Sequence, residues 1–192
     1  MKIFKYILSA VLIIAGFSVK AQSDNTYPAY LDIGTNVKNY PKVEWIKGGP
    51  VTSFDPNKIY IIELWATWCV PCIQAMPHLN QLAEKFKDKD IVFIAQDVME
   101  KGKDKGYVEK FVDQHPEMKN FNIGYSGGDG SDFDQHWIKA AGINSIPQTF
   151  IIQNNTIMWQ TGPTKLNEKV LQLLVDGKFS IEAAEAANQT KN

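Results

Sequence analysis

Arginine is absent from this 192-residue chain, and all 20 of its basic residues are lysines. Arginine is the side chain best suited to bidentate contacts with phosphate groups and with guanine bases. The formal net charge at pH 7 is −1, and no basic patch stands out along the sequence. We therefore do not expect a nucleic acid as a partner.

The N-terminal apolar run is too short for an ordinary membrane-spanning helix. This run, YILSAVLIIAGFSV at residues 6–19, falls short of the roughly 18 apolar residues that such a helix needs. Lys2 and Lys5 precede it, and the small residue Ala21 follows it at the expected cleavage site, as in a secretory signal peptide. We expect a cleavable leader at residues 1–21 and export to the periplasm or cell envelope. The alternative is an uncleaved leader that anchors the protein in the membrane.

The middle of the chain has the pattern of an α/β protein. Residues 22–40 are polar and turn-like, which predicts an irregular N-terminal extension, and residues 42–49 suggest a short strand. The apolar segments KIYIIELWA (58–66) and IVFIAQDV (91–98) predict two buried strands, with an amphipathic helix between them. Strand, helix and strand in this order indicate a βαβ unit.

Further elements are predicted along the second half of the chain. Residues 101–116 have the periodicity of a short amphipathic helix. The segments TFIIQ and TIMWQ flank two asparagines, which predicts an antiparallel hairpin. Thr164 is predicted to cap a last long helix that Gly177 ends, and residues 178–192 are predicted to form a C-terminal tail.

Cysteine is scarce, because the chain contains only Cys69 and Cys72. A structural zinc site requires four ligands, commonly paired cysteines or histidines. The three histidines show no such pairing, so no metal is expected; they are His78, His115 and His136. A purely structural disulfide remains an alternative, although closing so short a loop removes little entropy from the unfolded chain.

The position of the two cysteines favours a redox role. They lie where the first buried strand passes into the following helix, so Cys69 is predicted at the helix N-terminus. Backbone N–H groups and the helix dipole there stabilise a thiolate and lower the pKa of the thiol. Cys69 is the predicted nucleophile and Cys72 the shielded resolving thiol. Pro71 removes one backbone donor near the sulfur atoms.

The segment ELWATWCVPC (63–72) resembles the active-site motif of the thioredoxin superfamily, in particular its exported TlpA/ResA-like branch. The segment AGINSIPQTFII (141–152) is similar to the part of that family that carries a cis-proline. The resemblance implies a thioredoxin fold over residues 41–177, with a central mixed β-sheet flanked by helices. It also implies an N-terminal strand extension and an insertion around residues 101–124.

The resemblance also implies a set of site residues. Glu63 interrupts an apolar strand where relatives often hold a buried carboxylate, and burial would raise its pKa and suit it to proton transfer with Cys72. Gln96 aligns loosely with a lysine that some relatives place beside this carboxylate. The expected catalytic residues are Cys69, Cys72 and Glu63, with a redox-active Cys69–Cys72 disulfide. The expected substrate-binding residues are Trp68, Val70, Pro71, Ile146, Pro147 (the cis-proline) and Gly162.

One position departs from the resemblance. ResA-like proteins have a glutamate three residues after the second cysteine, where this chain has Ala75. If the chemistry needs an acid, Glu63 has to supply it. The departure weakens the transfer of the narrower role of that branch in cytochrome c maturation.

Together these features predict an exported thiol–disulfide oxidoreductase that reduces protein disulfides. No cofactor is expected, and a membrane-bound reductase would supply the electrons. Two alternatives stay open: the same site working as a disulfide oxidase or isomerase, and a peptide-binding module with an inert disulfide. The potential of the cysteine pair relative to its partners distinguishes a reductase from an oxidase.

Overall fold

A six-stranded mixed sheet organises residues 27–189, the part of the chain that the computed structural model describes. Its spatial strand order is β1-β4-β3-β2-β5-β6. Strands β2, β3 and β4 are parallel, whereas β1, β5 and β6 run antiparallel to their neighbours. The strands are β1 (Glu44–Lys47), β2 (Ile59–Trp65), β3 (Ile91–Asp97), β4 (Asn122–Tyr125), β5 (Gln148–Gln153) and β6 (Thr156–Thr161).

The predicted βαβ unit forms the centre of the molecule. Helix α1 (Val70–Lys85) connects β2 to β3, and all seven residues of β2 are buried. One stripe of α1 packs on the sheet, whereas Pro77 lies on the exposed side of the helix. The buried residues of this stripe are Cys72, Ala75, Met76, Leu79, Leu82 and Ala83.

The predicted insertion contributes a helix and a strand. Helix α2 (Lys105–Asp113) begins at the cap Asp104, whose side chain accepts a hydrogen bond from the backbone N–H of Tyr107 at 2.9 Å. A 3₁₀ turn at Pro116–Met118 then leads into β4. Strand β4 pairs with both β1 and β3, so the insertion widens the main sheet. The sequence pattern did not predict β4, because four residues that include asparagine and glycine carry little strand signal.

The predicted hairpin is formed by β5 and β6. Asn154 and Asn155 connect the two strands with φ values of 51° and 57°. Asparagine tolerates this left-handed conformation, and two such residues in succession match the twist of a two-residue hairpin. A π-helical stretch, Asp134–Ile138, precedes the hairpin along the chain.

The C-terminal helices differ in part from the prediction. Helix α3 (Glu168–Val175) begins at Asn167, whose side chain accepts a hydrogen bond from the N–H of Val170 at 3.0 Å. The prediction that Thr164 caps this helix is therefore wrong, because Thr164 lies in a 3₁₀ turn, Pro163–Lys165. Helix α4 (Ile181–Gln189) follows and packs against α3 through the fully buried Ala184.

The N-terminal extension is irregular where it is described. It makes isolated bridges to the hairpin and to Ser53, and its side chains Leu31, Val37 and Tyr40 are buried. The predicted leader at residues 1–21 lies outside the described residues. Within residues 27–189, no helix combines the length and the apolar character needed to cross a membrane.

The sheet separates two apolar clusters. One contains Ile59, Ile61 and Trp65 of β2 and packs beneath α1, α2 and α3. The other contains the alternate residues of β2 and is rich in aromatic side chains from the N-terminal extension and the π-helical stretch. Because side chains alternate between the faces of a strand, Glu63 lies on the α1 face, between Ile61 and Trp65.

Candidate active site

Cys69 and Cys72 form a disulfide at the start of α1. Their Cα atoms are 5.3 Å apart, and Cys69 is the N-cap residue of the helix. The backbone N–H of Cys72 points at the Cys69 Sγ at 3.3 Å. Pro71 occupies the first helical turn, where a missing N–H costs no helical hydrogen bond. A reduced Cys69 would thus face the positive end of the helix dipole, which stabilises a thiolate.

The two sulfur-bearing residues are buried to slightly different degrees. Cys69 is 2% exposed and Cys72 is fully buried. The Cys72 Sγ lies 3.9 Å from the backbone carbonyl oxygen of Leu64, at the end of β2. The neighbours of Cys69 are far more open, because Trp68 is 42% and Val70 60% exposed. A partner would therefore approach the pair over Trp68 and Val70, on the Cys69 side.

Glu63 is a buried acid on the same face of the sheet as α1. It is 1% exposed, and the Thr149 hydroxyl donates a hydrogen bond to its Oε2. Its other oxygen has no hydrogen-bond partner among the described residues. Burial raises the pKa of Glu63 to about 8, and the Thr149 hydrogen bond offsets part of this rise. Its pKa therefore lies close to that of an ordinary thiol, about 8.5.

The side chain of Gln96 does not lie beside that of Glu63. Its side chain lies on the opposite face of the sheet, where its Oε1 accepts a hydrogen bond from the Tyr40 hydroxyl at 2.8 Å. Its amide nitrogen donates to the backbone oxygens of Asp97 and Gly124. The expected alignment of Gln96 with a partner of the buried carboxylate is thus wrong; Thr149 of β5, directly opposite Glu63, is that partner.

The expected substrate-binding residues gather at one edge of the sheet. The Ile146–Pro147 peptide bond is cis, and β5 begins at the next residue. Gln148 pairs with Leu64, so Pro147 lies beside the end of β2 that leads to Cys69. Ile146 packs against the apolar cluster that contains both cysteines. Gly162 follows β6 at this same edge, because Thr161 pairs with Thr149.

Sequence reasoning missed two acids near the cysteines. Asp97, the last residue of β3, is fully buried, and its carboxyl group lies within hydrogen-bonding reach of the Glu100 carboxylate. Burial, together with the nearby Glu100 carboxylate, raises the pKa of Asp97 to about 10. Glu100 contacts the loop before Cys69. An acid that ends a buried strand was the available signal for Asp97, whereas nothing in the sequence points to Glu100.

No three potential metal-ligating side chains lie together in the part of the chain that the structure describes. The chemical groups that lie at this edge of the sheet are the disulfide, the helix N-terminus and the buried acids. Thiol–disulfide exchange needs a stabilised thiolate, a second thiol in reach and a group that accepts a proton. Once the disulfide is reduced, Cys69, Cys72 and Glu63 are the groups placed for these three roles.

The segment that contains the two cysteines matches a known protein family. The thioredoxin family matches residues 50–129, which include both cysteines, α1 and β3. The chain carries a thioredoxin-family domain. One relative is ResA of Bacillus thuringiensis subsp. konkukian, which is named a thiol-disulfide oxidoreductase. It is 28% identical to this chain over 155 residues, which make up 80% of this chain and 82% of ResA. The protein FixW of Rhizobium leguminosarum is 24% identical over 151 residues, 78% of this chain and 68% of FixW.

Solved structures agree on the fold. A crystal structure of a Bacteroides vulgatus protein described as a thiol-disulfide oxidoreductase superposes with a TM-score of 0.56 at 24% sequence identity. The match covers 78% of this chain and 98% of that protein. The predicted family, the thioredoxin fold and the class of enzyme, a thiol–disulfide oxidoreductase, are confirmed.

Proposed function

We propose that this protein is an exported thiol–disulfide oxidoreductase that reduces disulfides in other proteins of the cell envelope. The observation that carries the proposal is the Cys69–Cys72 pair at the N-terminus of α1, on the face of the sheet that holds Glu63. An inert structural disulfide has no need of a buried acid whose pKa lies near that of a thiol.

The first chemical step is attack by the reduced protein on a substrate disulfide. The Cys69 thiolate forms a bond to one substrate sulfur, the substrate S–S bond breaks, and the other substrate sulfur leaves as a thiolate that takes a proton. The product is a mixed disulfide between Cys69 and the substrate. The helix N-terminus favours this step because it stabilises Cys69 as a thiolate.

In the second step Cys72 releases the substrate. Glu63, once ionised, accepts the thiol proton of Cys72, and the Cys72 sulfur attacks the Cys69 sulfur of the mixed disulfide. The second substrate sulfur leaves as a thiolate that takes a proton, so the substrate has gained two electrons and two protons while the protein is oxidised. A pKa of about 8 for Glu63 makes the proton transfer from a thiol nearly balanced.

The edge around Pro147 forms the proposed substrate groove. An extended substrate segment would pair with the backbone of Ile146, in the manner of an added β-strand. Trp68, Val70 and Pro71 form the opposite rim, and all three are exposed. Gly162 leaves open space beside the groove, since a Cβ placed there would contact no atom within 4 Å.

Location, electron supply and domain limits belong to the same proposal. Residues 1–21 would direct export and be removed, residues 22–40 precede the thioredoxin-like domain at 41–177, and residues 178–192 follow it. The oxidised pair would be recharged by a membrane-bound dithiol reductase. Determining the N-terminal residue of the protein purified from the envelope fraction tests the leader: Gln22 supports cleavage after Ala21, and an intact Met1 contradicts it.

The catalytic assignment is tested with single cysteine variants in a protein-disulfide reduction assay. Cys69→Ser removes the nucleophile and is expected to abolish turnover. Cys72→Ser keeps the nucleophile but cannot resolve the intermediate, so it should accumulate a mixed disulfide on Cys69 that non-reducing electrophoresis detects. Full disulfide-reduction activity in the Cys69→Ser protein would contradict the proposal.

A further inference from the structure

The chain just after β3 contacts the loop that carries Cys69. The Glu100 carboxylate accepts two hydrogen bonds from Thr67, one from its backbone N–H and one from its hydroxyl at 3.0 Å. The indole N–H of Trp68 donates to the backbone oxygen of Met99 at 2.9 Å. The Lys101 ammonium lies 4.1 Å from the centre of the Trp68 ring. Residues 99–101 thus hold the two residues that immediately precede Cys69.

Asp97 lies beside this contact in an apolar setting. It is paired with Trp65 on β2 and with Tyr125 on β4, so its side chain shares their face of the sheet. Phe111 of α2 packs against Trp65, with ring centres 5.8 Å apart and ring planes inclined by 36°, and covers this face. The carboxyl of Asp97 is buried beside the Glu100 carboxylate, close enough for a proton on Asp97 to form a hydrogen bond between them.

The burial of Asp97 determines the charge at this place. With a pKa of about 10, Asp97 is protonated at neutral pH. Glu100 is half-buried, accepts the two hydrogen bonds from Thr67 and lies next to the Asp97 carboxyl. Glu100 is therefore the anion that contacts the loop before Cys69. The neutral Asp97 beside it adds no second negative charge.

We infer that Glu100 is a positioning residue of the redox site, which holds the Thr67–Trp68 loop and strengthens the Cys69–Cys72 pair as a reductant. The inference rests on the proposed function, since it concerns the same pair. A fixed negative charge near Cys69 disfavours the Cys69 thiolate and hence the reduced protein. A less stable reduced form gives up its electrons more readily, which is what a disulfide reductase requires.

Other charged groups around Cys69 act in defined directions. Lys101, on Trp68, and the N-terminus of α1 favour the thiolate. Glu63, on the α1 face of β2, opposes the thiolate when it is ionised. Glu100 is distinguished from these groups because it also carries the two hydrogen bonds to Thr67, so its removal alters both the charge and the loop.

The test uses Glu100→Gln, which removes the charge and keeps an oxygen that can accept one of the hydrogen bonds. Two quantities are measured on the purified full-length protein: the pKa of the Cys69 thiol from thiolate absorbance, and the equilibrium constant for reduction by glutathione. We expect a lower thiol pKa and a reduction equilibrium shifted toward the reduced protein by about three- to tenfold at about pH 8.

The matched control is Glu109→Gln. Glu109 is an exposed residue of α2, so this variant removes the same charge without touching the Thr67 loop. It should keep the wild-type thiol pKa, equilibrium constant and activity. If Glu100→Gln and Glu109→Gln have the same Cys69 thiol pKa and the same equilibrium constant for reduction by glutathione, the inference is overturned.

A second variant covers the case in which Glu100→Gln does not fold. Thr67→Val deletes the hydroxyl hydrogen bond to Glu100 and keeps the size of the side chain. It should lower the turnover of disulfide substrate several-fold, whereas unchanged turnover contradicts the positioning role. The thiol pKa and the glutathione equilibrium need no protein substrate, so they report on Glu100 even if the wild-type protein fails to reduce protein disulfides and the proposed function falls.

Discussion

At the scale of single residues, Glu63 connects the fold to the chemistry. A carboxyl group in the middle of a buried strand costs folding free energy unless it stays protonated or finds partners. Here it has one partner, the hydroxyl of Thr149, and its pKa is raised to about 8 by burial. The same burial that destabilises the ionised form gives the group a pKa suited to exchange a proton with Cys72.

Glu63→Gln should lower kcat/KM for disulfide reduction by at least about tenfold near neutral pH, because the amide cannot accept the proton of Cys72. In the wild-type protein the rate should rise as Glu63 ionises around pH 8, and this rise should be lost in the variant. Thr149→Val removes the hydrogen bond that lowers the pKa of Glu63, so the rise should move to higher pH. A wild-type pH profile in the Glu63→Gln protein would contradict the relay role.

Stability measurements on the same variant show whether it folds. The folded pKa of Glu63 lies above its unfolded value, so its contribution to stability is fully present below about pH 4 and is lost as the pH rises through about 8. Glu63→Gln removes this loss and should be more stable than wild type by on the order of 2–4 kcal/mol at neutral pH. Urea unfolding at acidic and neutral pH measures the difference. A more stable but slower enzyme separates a catalytic role from a structural one.

At the scale of elements, the insertion contributes a strand to the sheet and a helix that covers one of its faces. Strand β4 lies between β1 and β3, and α2 covers the face of the sheet that holds Trp65. Gly124 of β4 lies against Gln96, since a Cβ at this position would be 2.4 Å from the Gln96 Oε1. That oxygen accepts the hydrogen bond from Tyr40, so the close approach of β4 links the insertion to the N-terminal extension.

Gly124→Ala should therefore destabilise the protein by about 1–3 kcal/mol, because the new methyl group displaces a buried, hydrogen-bonded amide. The control is Gly106→Ala in α2, where the nearest atom to the new Cβ is the Asp104 Oδ1 at an ordinary 3.6 Å. Alanine there should stabilise the helix by up to about 1 kcal/mol. The free energy of unfolding in urea measures both, and equal stability of Gly124→Ala and wild type would argue against the close packing of β4 on Gln96.

Elements that depend on local pattern could be predicted from the sequence. The βαβ unit follows from two buried strands and one apolar stripe, and the hairpin follows from its asparagine pair. Strand β4 could not be predicted, because its short and polar sequence becomes a strand only between two partners. The cap at Asn167 was misassigned to Thr164, since both residue types cap helices and only the packing of Leu166 against the core selects between them.

At the scale of the whole molecule, the sheet brings residues distant in sequence to one site. Cys69, Glu100 and Pro147 come from different segments and meet at one edge because β2, β3 and β5 are neighbours. The cysteines and Glu63 could be identified from a continuous motif. Thr149, Asp97 and Glu100 could not, because their importance arises from strand register and from burial.

The direction of electron flow is a property of the whole molecule, because it depends on the relative stability of the oxidised and reduced folds. The helix N-terminus stabilises the Cys69 thiolate and favours the reduced protein, whereas Glu100 opposes it. The proposed function requires that the balance leaves the pair a good reductant.

The most direct test is the reduction potential of the Cys69–Cys72 pair, measured by equilibration against defined dithiol buffers. The account predicts a value near that of thioredoxin, about −270 mV, at which the reduced protein donates electrons to substrate disulfides. A value near about −120 mV, typical of strong oxidants, would contradict it and assign the protein to disulfide donation.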